Sequence, residues 1–454
     1  MADLDAIFKA YDVRGTYPDQ IDAAACTAIG AAFARFALDE GGAVPEIVVA
    51  RDMRPSGVEL AAAFCDGVRS QGVDVVDLGL ASTDLLYYAS GKRGAPGAMF
   101  TASHNPAQYN GIKFCLAGAR PVGADSGLDV IRRAAADPPP PVATAGTASQ
   151  ADLLGDFADH VRSFVDVTAF RPLKVVADTA NGMGGLVVPA VFEPLPFDLE
   201  ILYPELDGTF PNHPADPIQP ENQRDLCARV REVGADIGFA FDGDADRVFV
   251  VDEKGNGLSG SITTAMVAVG VLAKQPGATV LHNLICSKVV PEVVREHGGT
   301  PVRTKVGHSY IKAEMATTGA AFGGEHSAHY YFRDNYRADS GLIAAMLVLE
   351  MLSAASEPMS VLRAPFDRYA DSGEINTQVS DPAAVIDAVA AAYAASHPDA
   401  HQDRLDGLTV DLGDWWFNLR PSNTEPLLRL NLEARTRDEC DAHTSEILHL
   451  ITKG

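Results

Sequence analysis

The chain is predicted to fold as α/β, with three related α/β domains in tandem and a smaller C-terminal α+β domain. Three observations predict this. A phrase of short apolar strand, turn and helix recurs three times, at intervals of a little over a hundred residues. From Arg368 the pattern changes to strands interspersed with an Ala-rich helix. The 454 residues, 47% hydrophobic and 21% charged, are enough to enclose several cores.

The first phrase is the strand Glu46-Ile-Val-Val-Ala50, the turn Arg51-Asp-Met-Arg-Pro-Ser-Gly57, a helix from Val58 to Gln71 and a strand from Val73 to Asp77. The second is a strand from Leu173 to Ala177, then Asp178-Thr-Ala-Asn-Gly-Met-Gly-Gly185 leading into a helix. The third is a strand from Ala278 to His282, a turn to Ser287, a helix to about His297 and a strand from Thr300 to Thr304. Such units build parallel or mixed sheets covered by helices. The Pro-rich run from Asp137 to Val142 and the small-residue stretch to Ser149 read as a linker or exposed loop. After it, Leu153, Leu154, Phe157, Val161 and Phe164 mark one face of a helix. The turn from Asp252 to Asn256 closes the second domain, and an apolar helix from Ser340 to Ser353 ends the third. The last domain reads as a strand (Glu374 to Val379), a helix (Pro382 to Ser396), strands near Gly407 to Asp411 and Leu427 to Ala434, and a final helix (Asp438 to Ile451). The expected domain spans are 1–147, 148–254, 255–367 and 368–454.

A net charge of −25, from 36 basic and 61 acidic residues, disfavours nucleic acid and anionic membranes as partners. An anionic substrate must then meet a local cluster of cations and backbone donors. The six cysteines form no Cys-x-x-Cys, so neither a zinc site nor a disulfide framework is expected, and a reducing cytoplasm fits. No apolar signal core opens the chain, and no run of about 18 apolar residues is present to span a membrane.

Asp242, Asp244 and Asp246 alternate between two apolar strands, with the small Gly243 and Ala245 between them and Arg247 next. Three carboxylates so close repel one another unless a cation sits among them. Oxygen ligands alone suit a hard ion such as magnesium. The alternative is a solvated acidic turn. In Thr101-Ala-Ser-His-Asn-Pro106, Ser103 follows an apolar segment and Pro106 stiffens the exit, which exposes and holds the hydroxyl. Lys113 lies ten residues on, within reach of a short returning hairpin. Alone, this serine reads as an ordinary loop residue, and no Gly-x-Ser-x-Gly elbow supports acyl transfer. Together with a carboxylate metal loop, it makes a kit for phosphoryl transfer.

Glu325 and Ser327 are two residues apart in an extended segment and can grip vicinal hydroxyls, with His329 placed as an acid/base group. His326 alternates to the other side. A polar strand end would look the same. In Arg420-Pro-Ser-Asn-Thr, a guanidinium, two hydroxyls and turn N–H groups can cradle a phosphate dianion, although such a turn can also be structural.

Four motifs, Thr101 to Pro106, Asp242 to Arg247, Gly324-Glu-His-Ser-Ala-His329 and Arg420 to Pro426, resemble in order and spacing those of the α-D-phosphohexomutases. The opening Phe8-Lys-Ala-Tyr-Asp-Val-Arg-Gly15 is similar as well, and the resemblance runs to about residue 435. It implies four domains around a central cleft. It implies that Ser103 is the phosphorylated catalytic serine, with His104 and Lys113 as cationic and proton-handling neighbours. Asp242, Asp244 and Asp246 would ligate magnesium with an oxygen on Ser103, and Arg247 would face the reacting phosphate. Tyr11 and Arg14 would line the cleft floor, and Lys305 and His308 a second cleft loop. Glu325 and Ser327 would hold the sugar, His329 would act as acid or base, and Arg420, Ser422, Asn423 and Thr424 would bind phosphate.

His326 after Glu325, and Asn423 in the phosphate loop, resemble the phosphomannomutase/phosphoglucomutase branch rather than enzymes of glucosamine phosphate; Ala328 stands where many members have Gly. The expected reaction interconverts mannose 6-phosphate and mannose 1-phosphate through a phosphoserine and a hexose 1,6-bisphosphate, with glucose phosphates also accepted. The alternatives are phosphoglucomutase as the main activity, phosphoglucosamine mutase, a metal-dependent phosphatase and a non-catalytic sugar-phosphate sensor. A monomer or homodimer is expected.

Overall fold

The computed structural model describes residues 3–41, 45–421 and 427–453. Four sheets follow one another along the chain. In the first, Glu46–Arg51 pairs in parallel with Asp74–Leu80 and Gly97–Phe100. Tyr109–Leu116 then returns antiparallel to Gly97–Phe100, and Val13–Thr16 closes that edge. In the second sheet, Leu173–Asp178 runs parallel to Phe197–Leu202 and Ile237–Phe241, and Val248–Asp252 returns antiparallel to Ile237–Phe241. The third repeats that pattern. Thr279–Asn283 is parallel to Thr300–Thr304 and Phe322–Gly324, and Tyr330–Phe332 is antiparallel to Phe322–Gly324.

Each of the three sheets therefore contains an antiparallel hairpin, and its connecting turn carries the polar motif in each case: residues 101–108, 242–247 and 325–329. The fourth sheet is wholly antiparallel, in the spatial order Ala370–Gln378, Leu427–Ala434, Trp416–Pro421, Leu408–Asp411, His401–Asp403.

One apolar core is shared by the first three units. Leu85, Leu86 and Met99 of the first, Phe239 and Val250 of the second, and Met266, Leu342 and Leu349 of the third belong to one contiguous cluster. Helix Gly341–Ala354 contributes to it and is buried over most of its surface. The last unit has a separate core of Val389, Tyr393, Leu408, Phe417, Leu430 and Ile447. Polar contacts join it to the third unit: Lys288 Nζ lies 2.6 Å from Asp411 Oδ1, and Arg368 Nη1 donates to Glu296 Oε1 at 2.7 Å.

One boundary differs from expectation. Ala148–Gln150 adds a parallel strand beside Asp74–Leu80, so the first sheet continues past residue 147. All three of its residues are exposed, and it carries no apolar alternation to betray it. Helices Thr83–Arg93 and Gly260–Lys274 lack an amphipathic stripe because most of their residues are buried on every side. Among the described residues, no single helix is long and apolar enough to cross a membrane.

Candidate active site

The turn after Gly97–Phe100 carries Ser103 at a φ of +49°, a left-handed backbone uncommon for a residue with a Cβ. Its N–H donates to Thr101 Oγ1 at 2.8 Å. The serine is nearly buried, and its Oγ donates to Asp242 Oδ2 at 2.9 Å. Arg247 Nη2 donates to the same Oγ at 3.2 Å and lies 2.7 Å from His104 Nδ1. Arg247 also holds Asp242 through its Nε at 2.9 Å and its backbone N–H at 3.2 Å. Thus Ser103, His104, Asp242 and Arg247 form one cluster across the first two units.

Lys113 does return along the hairpin, opposite Met99. Its Nζ lies 2.8 Å from both Asp244 Oδ2 and Asp246 Oδ2. Asp244 is gripped from the first unit as well, by Thr83 Oγ1 at 2.6 Å, while Thr83 N–H donates to the Asp244 carbonyl at 3.0 Å. Burial pushes the Asp242 carboxyl well above the carboxylate range, and Arg247 offsets this only in part. For Asp244, burial pushes the same way, but Lys113 and the Thr83 hydroxyl outweigh it and hold the carboxyl below its ordinary value. Burial alone would lower the Lys113 pKa; its two aspartate partners raise it well above its ordinary value. His104 is pushed well below the usual imidazole range by burial and then by Arg247.

The donor set fits a hard divalent cation. Asp242, Asp244 and Asp246 each offer an oxygen, all lying within 4.8 Å of one another. The Oδ1 atoms of Asp244 and Asp246 are buried without a hydrogen-bond partner. Such orphaned carboxylate oxygens call for a positive ligand.

The third unit faces this cluster. His329 Nε2 lies 3.7 Å from Asp246 Oδ1, and the backbones of His329 and Arg247 form an isolated bridge. Ser327 Oγ is 3.0 Å from His329 Nδ1. Glu325 is buried with both carboxylate oxygens already engaged. Asn283 Nδ2 and Gly307 N–H donate to Oε1, each at 3.1 Å, and the Tyr331 hydroxyl donates to Oε2 at 2.7 Å. His326 points elsewhere, with Nδ1 3.5 Å from Ser261 Oγ. Ala328 adopts a φ of +65°, the conformation a glycine would take without strain.

Tyr11 lies against the loop 305–310. Its hydroxyl donates to the Val306 carbonyl at 3.2 Å, its ring meets His308 edge-on at 5.4 Å, and burial pushes its pKa up to about 12. Arg14 Nη1 donates to Asn105 Oδ1 at 2.6 Å in the serine turn. His308 is pushed well below the usual imidazole range by burial and then by Lys312, and its Nδ1 is buried and unpartnered. Lys305 is exposed, its ammonium 5.4 Å from the Tyr310 ring centroid.

In the fourth unit, Arg420 Nη2 donates to Glu374 Oε2 at 2.7 Å. The Asp406 side chain, on the turn before the neighbouring strand, accepts from Val306 N–H at 3.2 Å, which brings this unit to the rim of the 305–310 loop. Ser422, Asn423 and Thr424 lie outside the described residues.

Several residues of the site escaped the sequence reading: Arg54, Thr83, Asn283 and Tyr331. Arg54 stood in plain view in the turn Arg51 to Gly57, where it read as a connection between strand and helix. Thr83 sits at the start of a helix without amphipathic pattern.

Models of the phosphoglucomutase/phosphomannomutase α/β/α domains I, II and III match residues 5–137, 155–256 and 259–369, and the model of the C-terminal domain matches residues 374–449. A protein of Xanthomonas campestris pv. campestris described as "Phosphohexose mutases" is 40% identical over 453 residues, 98% of each chain. A phosphomannomutase of Salmonella montevideo is 40% identical over 455 residues, again 98% of each. A crystal structure of a phosphoglucomutase/phosphomannomutase family protein from Burkholderia thailandensis superposes with a TM-score of 0.89 at 33% identity, covering 100% of this chain and 99% of that one.

Proposed function

The chain belongs to the phosphoglucomutase/phosphomannomutase family, and from that premise we propose that it interconverts mannose 6-phosphate and mannose 1-phosphate, accepting glucose phosphates as well. It is an enzyme of intramolecular phosphoryl transfer. The observation that carries the residue assignment is the buried contact of Ser103 Oγ with Asp242 Oδ2 at 2.9 Å, with Arg247 Nη2 3.2 Å from the same oxygen.

In this reading Ser103 carries the phosphoryl group at rest. Its P–Oγ bond breaks as a new P–O bond forms to the free hydroxyl of the bound monophosphate, giving a 1,6-bisphosphate. Arg247 meets the charge on the transferring group and on the departing Oγ. His329, across the cleft, takes the hydroxyl proton and returns it in the second half-reaction. The bisphosphate turns over, and its other phosphate passes to Ser103.

Asp242, Asp244 and Asp246 would hold magnesium, which supplies positive charge to phosphate oxygens when bound. Lys113 steadies two of these carboxylates. Tyr11, Arg14, Lys305 and His308 line the cleft, and Glu325 and Ser327 orient the sugar. Glu325 does this with a carboxylate fixed by Asn283, Gly307 and Tyr331. Arg420, with Ser422, Asn423 and Thr424, holds the phosphate that is not reacting, in both orientations.

A side-by-side assay tests this. Mannose 1-phosphate, glucose 1-phosphate and glucosamine 1-phosphate are supplied with magnesium and a trace of glucose 1,6-bisphosphate, and 6-phosphate and free phosphate are measured. The expected outcome is 6-phosphate from the first two sugars with little free phosphate. Free phosphate as the main product would indicate a phosphatase, binding without turnover a sensor, and a preference for glucosamine 1-phosphate would overturn the substrate assignment.

A further inference from the structure

Arg54 is fully buried, yet it lies beside the catalytic turn rather than in an apolar core. All of its guanidinium nitrogens are engaged. Nε donates to Asp52 Oδ2 at 3.1 Å. Nη1 donates to the carbonyls of Pro106 and Tyr109 at 2.8 and 3.0 Å, and Nη2 to those of Ser103 and Asn105 at 2.9 and 2.6 Å. Five N–H groups thus meet one carboxylate and four carbonyls, and every one of those carbonyls belongs to residues 103–109. The guanidinium carbon also lies 5.2 Å from the Phe210 ring centroid in the second unit.

A turn that curls a φ-positive serine towards a metal loop points its carbonyls inward. Buried carbonyls need donors. Few come from the turn itself, where Asn105 N–H reaches Ala102 O and Tyr109 N–H reaches Pro106 O. Tyr17 N–H reaches Gln108 O, and Arg54 supplies donors to the carbonyls of Ser103, Asn105, Pro106 and Tyr109. Gly243 packs close to the Ser103 carbonyl, where a Cβ would stand only 2.4 Å from the oxygen.

We propose that Arg54 is a positioning residue for phosphoryl transfer: its guanidinium sets the backbone of residues 103–109 so that Ser103 Oγ stands over Asp242 and Arg247. Arg54 has no exposed surface and cannot touch a sugar phosphate. Its contribution therefore falls on the placement of residues 103–109, the reacting oxygen first, and on no direct contact with substrate. This inference rests on Ser103 being the phosphoryl carrier.

The test uses Arg54→Lys, which keeps a positive charge beside Asp52 but loses the planar fork that reaches four carbonyls. Three readouts are taken: kcat and KM for mannose 1-phosphate, the rate at which dephosphorylated enzyme takes phosphate from glucose 1,6-bisphosphate onto Ser103 by intact mass, and the melting temperature. A misplaced nucleophile predicts that kcat falls roughly a hundredfold, with KM within about threefold of wild type. Ser103 phosphorylation should slow in parallel in a cooperatively folded protein. If Arg54→Lys fails to fold, Asp52→Asn combined with Arg54→Gln removes the buried charge pair and carries the same expectation. A folded variant with wild-type kcat overturns the proposal, as does one in which KM rises as much as kcat falls. Ser103→Ala is assayed alongside. Activity in that variant removes the phosphoserine premise itself, whereas an inactive Ser103→Ala beside a fully active Arg54→Lys removes only the role of Arg54.

Discussion

Gly243 of the acidic loop 242–247 lies directly against Ser103: a Cβ on Gly243 would stand 2.4 Å from the Ser103 carbonyl oxygen and 3.5 Å from the Ala215 Cβ. The approach lets the Asp242 carboxylate reach Ser103 Oγ across two domains. No side chain fits between the two loops, so Gly243→Ala must push them apart. The fold should survive, because the contact lies between loops rather than within a core. We expect kcat to fall by roughly tenfold to a hundredfold with little change in melting temperature. A Gly243→Ala enzyme with wild-type kcat would mean that the loops slide freely and that their spacing carries no catalytic weight.

Ser103→Ala removes the proposed phosphoryl carrier and one hydrogen bond to Asp242. Mutase flux should drop by at least about a thousandfold, since the covalent step has no substitute nearby. Intact-mass analysis of wild type should find a fraction heavier by one phosphate, and peptide mapping should place it on Ser103.

Asp244→Asn keeps the shape of the side chain and removes a charge that Lys113 and Thr83 now share. The magnesium concentration for half-maximal rate should rise by about tenfold or more, and part of the rate should return at high magnesium. The decisive control is wild type treated with a chelator: an unchanged rate would assign the aspartates a purely structural role.

Asp84 links the first and third units from within. It is fully buried, accepts from Ser82 Oγ, and accepts from Ser340 Oγ at 2.7 Å. Burial pushes its pKa from 3.8 up to about 7. In the unfolded chain the carboxyl ionises near pH 4, whereas in the native state it keeps its proton to about pH 7. Between those values the native state binds one more proton, so the contribution of Asp84 to stability is fully present below pH 4 and is lost as pH rises towards 7. The loss is on the order of 1–4 kcal/mol. Asp84→Asn should flatten the decline of melting temperature across this window relative to wild type, with the other ionising groups common to both proteins. Parallel curves for the two proteins would show that Asp84 is ionised in the native state.

Much of this architecture could be read from the chain because its signals are local. Helix Pro382–Ser396 and strand Leu427–Ala434 coincide with expectation, since a helix N-cap at Asp381 and an alternating strand leave clear marks. The alternation of Asp242, Asp244 and Asp246 foretold carboxylates converging on one point, which the distances bear out. Long-range partnerships left no such mark. The pairing of Lys113 with Asp244 and Asp246 spans more than a hundred residues. Arg54 and Asn283 serve the site through groups tens of residues away along the chain, which no periodicity encodes. Strand Trp416–Pro421 leaves no period-two mark because all but its last residue are buried, and its register depends on neighbours on both sides.

Arg420 lies opposite Arg429 in the fourth sheet, and Glu374 on the adjoining strand is bonded to Arg420 Nη2 at 2.7 Å and lies 3.3 Å from Arg429 Nη1. The carboxylate thus fixes one end of the Arg420 guanidinium. If Arg420 holds the non-reacting phosphate, it serves both half-reactions alike, because it reads phosphate and not sugar. Arg420→Ala removes a charge-assisted bond of about 1.5–3 kcal/mol. The apparent affinities for mannose 1-phosphate and mannose 6-phosphate should then weaken by similar factors, on the order of ten to a hundred. Glu325→Ala should differ, lowering the rate and also blurring the distinction among sugars. An Arg420→Ala enzyme that binds one isomer normally and the other poorly would show that the fourth unit serves a single orientation, and the bisphosphate would then need a second phosphate site in order to turn over.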